Sequence, residues 1–257
     1  MKRYRWLLGC CLFLSIGMLW AADEPDLRML QQKAAQSRDM EGYVGVCKYL
    51  YQTEENPELL LLYADSIHQL ATKSKKPEQL VEYYIWASEG NFIKGDFQQG
   101  YALKRKAIAL AEKAGLKFAI SQSCCDMGYY CNVDARYDSA RYYFRKGLEA
   151  GEDLSEAGEA CRTMLTNYAS SFLFEGKTDS ALVYTIRASE RSAADKDTAM
   201  LIENLNQLGT IYRRKKDLEN CIANFEQALH LCELRGNHNA VAFIYGNIAT
   251  AYCDWNR

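Results

Sequence analysis

Apolar residues along most of this 257-residue chain recur at three- and four-residue intervals, the spacing that lines one face of an α-helix, and alternating strand-type runs are almost absent. Prolines occur at Pro25, Pro57 and Pro77, the last two where a first helical turn tolerates them. The 180 residues after Pro77 contain none, so the sequence predicts helix after helix.

That helical pattern repeats. The segments Asp96-Phe97-Gln98-Gln99-Gly100, Arg136-Tyr137-Asp138-Ser139-Ala140, Lys177-Thr178-Asp179-Ser180-Ala181 and Asp217-Leu218-Glu219-Asn220-Cys221 recur at steps of 40, 41 and 40 residues. Each opens a helix with a small residue, and seven positions later comes another: Ala107, Gly147, Ala188 and Ala228. Nine positions before each first small residue, the preceding helix ends in Asn91, Cys131, Phe172 or Tyr212. Small side chains let two antiparallel helices approach closely, and larger ones fill the space they leave.

The best copy runs Leu205-Asn206-Gln207-Leu208-Gly209-Thr210-Ile211-Tyr212, then Cys221, Phe225 and Ala228. The next best has Gly128, Ala140, Phe144 and Gly147. A third keeps Ala169, Ala181 and Ala188 but has Thr185 where an aromatic is usual, and a fourth has Ser88 and Lys104 at two signature places. On these residues the chain resembles the tetratricopeptide repeat family, in a variant with repeats of about 40 residues. The resemblance implies an all-α, right-handed superhelical solenoid of antiparallel helix pairs. Its expected organisation is a degenerate repeat over 40–73, repeats over 77–114, 117–151, 158–193 and 198–235, and a half repeat over 238–257, with a capping helix near Asp26 to Ser37. A chain that stops inside a repeat suggests the N-terminal portion of a longer protein; the alternative is a half repeat acting as its own cap.

The N-terminus reads differently. Lys2, Arg3 and Arg5 precede an apolar run from Trp6 to Trp20, then Ala21 and Ala22, then Asp23 and Glu24. This is the layout of a signal peptide over 1–21, cleaved after Ala21, with the domain beginning at 22. The alternative is an uncleaved anchor. The expected location is therefore export, most consistent with a bacterial periplasm. Lys and Arg number 31 and Asp and Glu 33; without the signal's three bases the net charge is −5, which gives no case for nucleic acid. Membrane association is expected only through an uncleaved N-terminus or through sequence beyond this segment.

Eight cysteines remain after Cys10 and Cys11, with no CxxC spacing. They lie in helical runs, and Cys124, Cys131, Cys221 and Cys253 fall where the repeats favour small or medium apolar side chains, so packing rather than a disulfide framework is expected.

Catalytic motifs are missing: there is no HExxH, phosphate loop, GxSxG or Cys/His metal spacing. The histidines are His68, in a core-like position, and His230 and His238 beside an inter-repeat turn. No cofactor, metal or catalytic residue is expected.

The resemblance instead points to the concave face that first helices line in this family. Matching positions are Glu82, Ile85, Glu89 and Phe92 in one copy, Gln122, Tyr129 and Asn132 in the next, Thr166, Ser170 and Phe174 in the third, and Asn206, Thr210, Arg213 and Arg214 in the fourth. These predict a groove with apolar groups toward its N-terminal part and two arginines toward its C-terminal part, suited to an extended or helical peptide. The family's carboxylate clamp for acidic tails is not reproduced. The expected function is an exported protein-interaction module, a sensor region of a longer signalling protein; alternatives are a self-standing envelope assembly scaffold and, remotely, a hydrolase.

Overall fold

A computed structural model describes residues 27–54 and 56–255. The expected signal peptide over 1–21, Pro25 and the last two residues lie outside the described residues. The described chain is all-α, with twelve α-helices and no strands among the described residues. They are α1 (Leu27–Ser37), α2 (Met40–Thr53), α3 (Pro57–Ser74), α4 (Pro77–Lys94), α5 (Phe97–Ala114) and α6 (Lys117–Val133). After them come α7 (Tyr137–Gly151), α8 (Gly158–Phe174), α9 (Thr178–Ala194), α10 (Thr198–Arg214), α11 (Leu218–Leu234) and α12 (His238–Trp255).

Local chemistry sets most of these boundaries. Asp39, Asn56, Asp96, Asp197 and Asp217 each accept a backbone N–H from the first turn of the helix they precede, at 2.8 to 3.1 Å. Turns close with one left-handed residue. Gly95, Gly176 and Gly236 hold it at no steric cost, whereas Ala135, Lys196 and Lys216 adopt φ of 56 to 59° with a side chain in place.

Two compact units divide the chain, one holding the described residues of Ala22–Met127 with Glu149–Ala157, the other Gly128–Leu148 with Gly158–Arg257. In the first, α1 to α5 pack in chain order and α2 also touches α4. Its core joins Val46, Leu50, Leu60, Ile67, Val81, Ile85 and Trp86. In the second, α8 to α12 pack in chain order, and α8, α10 and α12 also touch in succession. Short turns between packed neighbours make each pair antiparallel, which is the solenoid arrangement the repeats predict.

The small and bulky positions interlock. A Cβ on Gly209 would lie 2.6 Å from the Phe225 ring, and one on Gly128 would lie 2.3 Å from Phe144. Ala169 with Thr185 and Ser88 with Lys104 occupy the same two positions, and all four are fully buried. Where Thr185 lacks the ring, Tyr184 stacks on Phe172 at 5.3 Å and meets Tyr168 edge-on at 4.6 Å. The glycines are thus matched to aromatic partners, copy by copy.

Two expectations fail. His68 is exposed, not core: Leu60, Ala64, Ile67 and Ala71 form the inward stripe of α3, and His68 beside it stacks on Tyr83 at 4.3 Å. Cys253 is exposed too, because Ala240, Ile244 and Ala251 carry the buried stripe of α12 and position 253 turns away from it. The other seven described cysteines are buried, and burial, then the Glu82 charge, pushes the Cys47 thiol up to about 12.

Candidate functional site

The residues expected to line a groove divide into those the packing consumes and those it leaves accessible. Ile85, Glu89, Phe92, Asn132 and Thr166 are buried, a correction to the expected surface. Each has a physical reason. Ile85 belongs to the first unit's core. Phe92 fills the space left by Gly100, where a Cβ would approach its ring to 2.7 Å. Asn132 sends its amide to the Asn167 carbonyl at 3.0 Å, and the Thr166 hydroxyl lies 2.9 Å from Asn204 Oδ1.

Glu89 is buried by a charge. Lys104 is wholly inside the first unit, with its ammonium on the carboxylates of Glu89 and, at 2.9 Å, Asp126. Burial alone would lower the ammonium's pKa, but Asp126 and Glu89 outweigh it and hold the group protonated. The N-terminal part of the expected groove is therefore closed at Ile85, Glu89 and Phe92. Glu82 remains half-buried and accepts the Trp86 indole N–H at 2.9 Å; Gln122 is half-buried as well.

In the second unit a polar seam joins α10 to the helices around it, α8, α9 and α12. Gln207 Nε2 donates to Ser170 Oγ at 2.6 Å, and Gln207 Oε1 lies 3.1 Å from the Thr185 hydroxyl. Asn204 Nδ2 donates to Ser192 Oγ at 3.1 Å, and Asn247 Nδ2 to Asn206 Oδ1 at 2.8 Å. Sequence reasoning missed Asn204, Gln207 and Asn247; polar amides on otherwise apolar helix faces are the signal that could have found them.

Beside this seam Tyr129, Ser170, Asn206, Thr210 and Arg213 are half-buried, and Phe174 and Arg214 are exposed. The two arginines are already engaged. Arg213 pairs with Asp254 at 2.9 Å, and Arg214 donates to the Leu173 carbonyl at the end of α8, 2.8 Å away. The Ser170 and Thr210 hydroxyls also donate to the Thr166 and Asn206 carbonyls one turn back, at 3.0 and 3.1 Å, so what the surface offers is the remaining acceptor capacity of those hydroxyls, the Asn206 amide and the Phe174 ring, a set that can hold a peptide by hydrogen bonds and apolar contact.

Electrostatics near the start of α10 are less ordinary. Arg162 binds Asp195 at 3.0 Å and Asp197 at 2.9 Å. Hydrogen bonds from Arg191 and then Arg162 hold the Asp195 carboxyl below its usual range. Half-buried Glu203 shows the opposite: burial, then repulsion from Asp197, pushes it up to about 8. Among the described residues no group of three His, Cys, Asp or Glu side chains could hold a metal, and no helix is long and apolar enough to cross a membrane.

Residues 200–257 match the family model described as Tetratricopeptide repeat. The chain folds as a tetratricopeptide-like solenoid of helix pairs. Solved structures extend the likeness over the length of the chain, at identities that speak to the fold alone. The apo form of RapI matches with a TM-score of 0.70 and 9% identity, over 99% of this chain and 71% of that one. Aspartyl phosphate phosphatase F from Bacillus subtilis matches at 0.59 and 15%, over 97% and 66%. PlcR from Bacillus thuringiensis, solved in complex with the peptide PapR7 and DNA, matches at 0.54 and 13%, over 95% and 96%. No curated protein matches the sequence.

Proposed function

We propose that the chain is an exported protein-interaction module that takes a protein or peptide on the accessible side of its first helices, within the unit formed by α8 to α12. The observation that carries this reading is the strip of Ser170, Asn206 and Thr210 beside exposed Phe174, set on helices held in place by the Gln207 and Asn247 hydrogen bonds. Polar groups on a rigid scaffold suit a peptide backbone, and the ring suits an apolar side chain. PlcR, a similar fold solved with a peptide, supports that class of ligand.

Export is supported by the basic-apolar-small pattern of residues 1–22. A sensor role in a longer signalling protein is the reading favoured here over an assembly scaffold, and the protein is taken to be non-enzymatic. Purified mature chain incubated with a periplasmic extract should retain a defined protein or peptide, and Thr210→Arg should abolish retention without changing the melting temperature. Equal retention by Thr210→Arg overturns the groove; a mature N-terminus other than Ala22, or cytoplasmic fractionation, overturns export.

A further inference from the structure

Glu203 lies in the same stripe of α10 as Asn206 and Thr210, because steps of three and seven residues return to one face of a helix. All three are half-buried. The acid at the same repeat position in the first unit, Glu82, is satisfied from within its own helix: Trp86, four residues on, donates its indole N–H at 2.9 Å. Four residues on from Glu203 stands Gln207, and its amide is spent elsewhere, on Ser170 at 2.6 Å and Thr185 at 3.1 Å. The neighbouring cations are also committed. Arg162 is held by Asp195 and Asp197, Arg191 by Asp195, and Arg213 by Asp254. Glu203 therefore has no hydrogen-bond or ion-pair partner among the described residues, and the charge that acts on it is the like charge of Asp197. A carboxylate partly removed from water without a donor or counter-charge costs free energy, which is why its pKa rises to about 8.

We propose that Glu203 sets the charge selectivity of the first-helix strip, as an anionic seat for a cationic group of the bound peptide: a lysine or arginine side chain, or a free N-terminal ammonium. The proposal rests on the reading of that strip as the binding surface. An ammonium or guanidinium at Glu203 supplies the counter-charge and the donors that the fold withholds, in a site already partly dry, where such a pair is stronger than at an open surface. The spacing suits one ligand. Glu203 and Thr210 are two turns apart, about 10 Å along α10, and about three residues of extended peptide span that distance. A peptide can thus reach the Asn206 amide and the Thr210 hydroxyl while its cation sits on Glu203.

Three synthetic pools of randomised heptapeptides test this on the immobilised mature chain. One is N-acetylated with a central lysine, one N-acetylated with a central norleucine, and one carries the norleucine with a free N-terminus. Roughly 0.15 M salt screens the long-range attraction of bases to an acidic chain. The wild type should retain one of the two cationic pools about tenfold more than the acetylated norleucine pool. Preference for the lysine pool identifies a side chain as the cation, and preference for the free N-terminus identifies the terminal ammonium. Glu203→Gln keeps the size of the side chain and the neutral form it holds near pH 7, so it should fold, which circular dichroism checks, and it should retain all three pools equally. Equal retention of the pools by wild type, lost in Thr210→Arg, overturns the cation seat and leaves the strip standing. A cationic preference that survives Glu203→Gln also overturns the seat, since the attraction then comes from other acids. Retention of no pool, or retention indifferent to Thr210→Arg, overturns the strip and the seat together.

Discussion

Phe225 packs its ring against the bare backbone of Gly209, so closely that a Cβ there would lie 2.6 Å away. Helix α10 can approach α11 only because position 209 has no side chain. Gly209→Leu should force the backbones apart and lower stability by about 1–3 kcal/mol or more. Urea unfolding reads this directly, and an unchanged midpoint would contradict the packing. Gly209→Ala combined with Phe225→Thr copies the Ala169 and Thr185 arrangement. The double variant should therefore lose less than the sum of the two single losses.

A second prediction concerns the buried ion cluster of the first unit. Lys104→Ala removes the cation facing Glu89, whose carboxylate is then buried without its counter-charge, and should destabilise the chain by about 3–5 kcal/mol. Lys104→Met with Glu89→Leu removes the two deeply buried charges, leaving only the partly exposed Asp126 carboxylate without its cation, and should cost clearly less. Thermal melts of the two variants decide the order, and a milder effect from Lys104→Ala alone would contradict the burial of the pair.

Glu203 gives a pH dependence with a definite sign. Its carboxyl is pushed from an ordinary 4.5 up to about 8, so between those values the folded chain holds a proton that the unfolded chain has lost. The group's contribution is complete below about 4.5 and is lost as pH rises through about 8. Glu203→Gln removes this loss. The variant's stability relative to wild type should therefore grow from pH 5 to pH 8.5 in denaturant titrations, and a difference independent of pH would refute the shift.

The turn after α6 offers a gain. Ala135 sits at φ 56° in the position that Gly95, Gly176 and Gly236 fill elsewhere. Ala135→Gly relieves that conformation, partly offset by the freedom glycine adds to the unfolded chain, for a net rise of about 0.5–1 kcal/mol. A lowered melting temperature would show that the strain is not where the dihedral places it.

Much of the fold was legible because helix formation and close approach are local or regularly spaced properties. Gly209 and Phe225, or Gly128 and Phe144, lie 16 residues apart in each good copy, and that spacing survives in Ser88 and Lys104 although the chemistry changes. The candidate site was less legible, because which side of a first helix faces solvent depends on the next repeat. Thr166 looked like a groove residue until Asn204 closed on it, and Phe92 until Gly100 left a space for it. Cys253 and His68 failed for a related reason: one step around a helix separates the buried stripe from its edge, and the repeat pattern alone does not resolve that step.

The central claim, that the first-helix side of the second unit is where a partner binds, is tested most directly by site-specific photocrosslinking in the native cell. A photoreactive residue at Thr210 should yield a discrete adduct, whereas the same residue at Ile186, on the exposed outer side of α9, should yield none. Adducts of equal yield at both positions, or only at Ile186, would contradict the account.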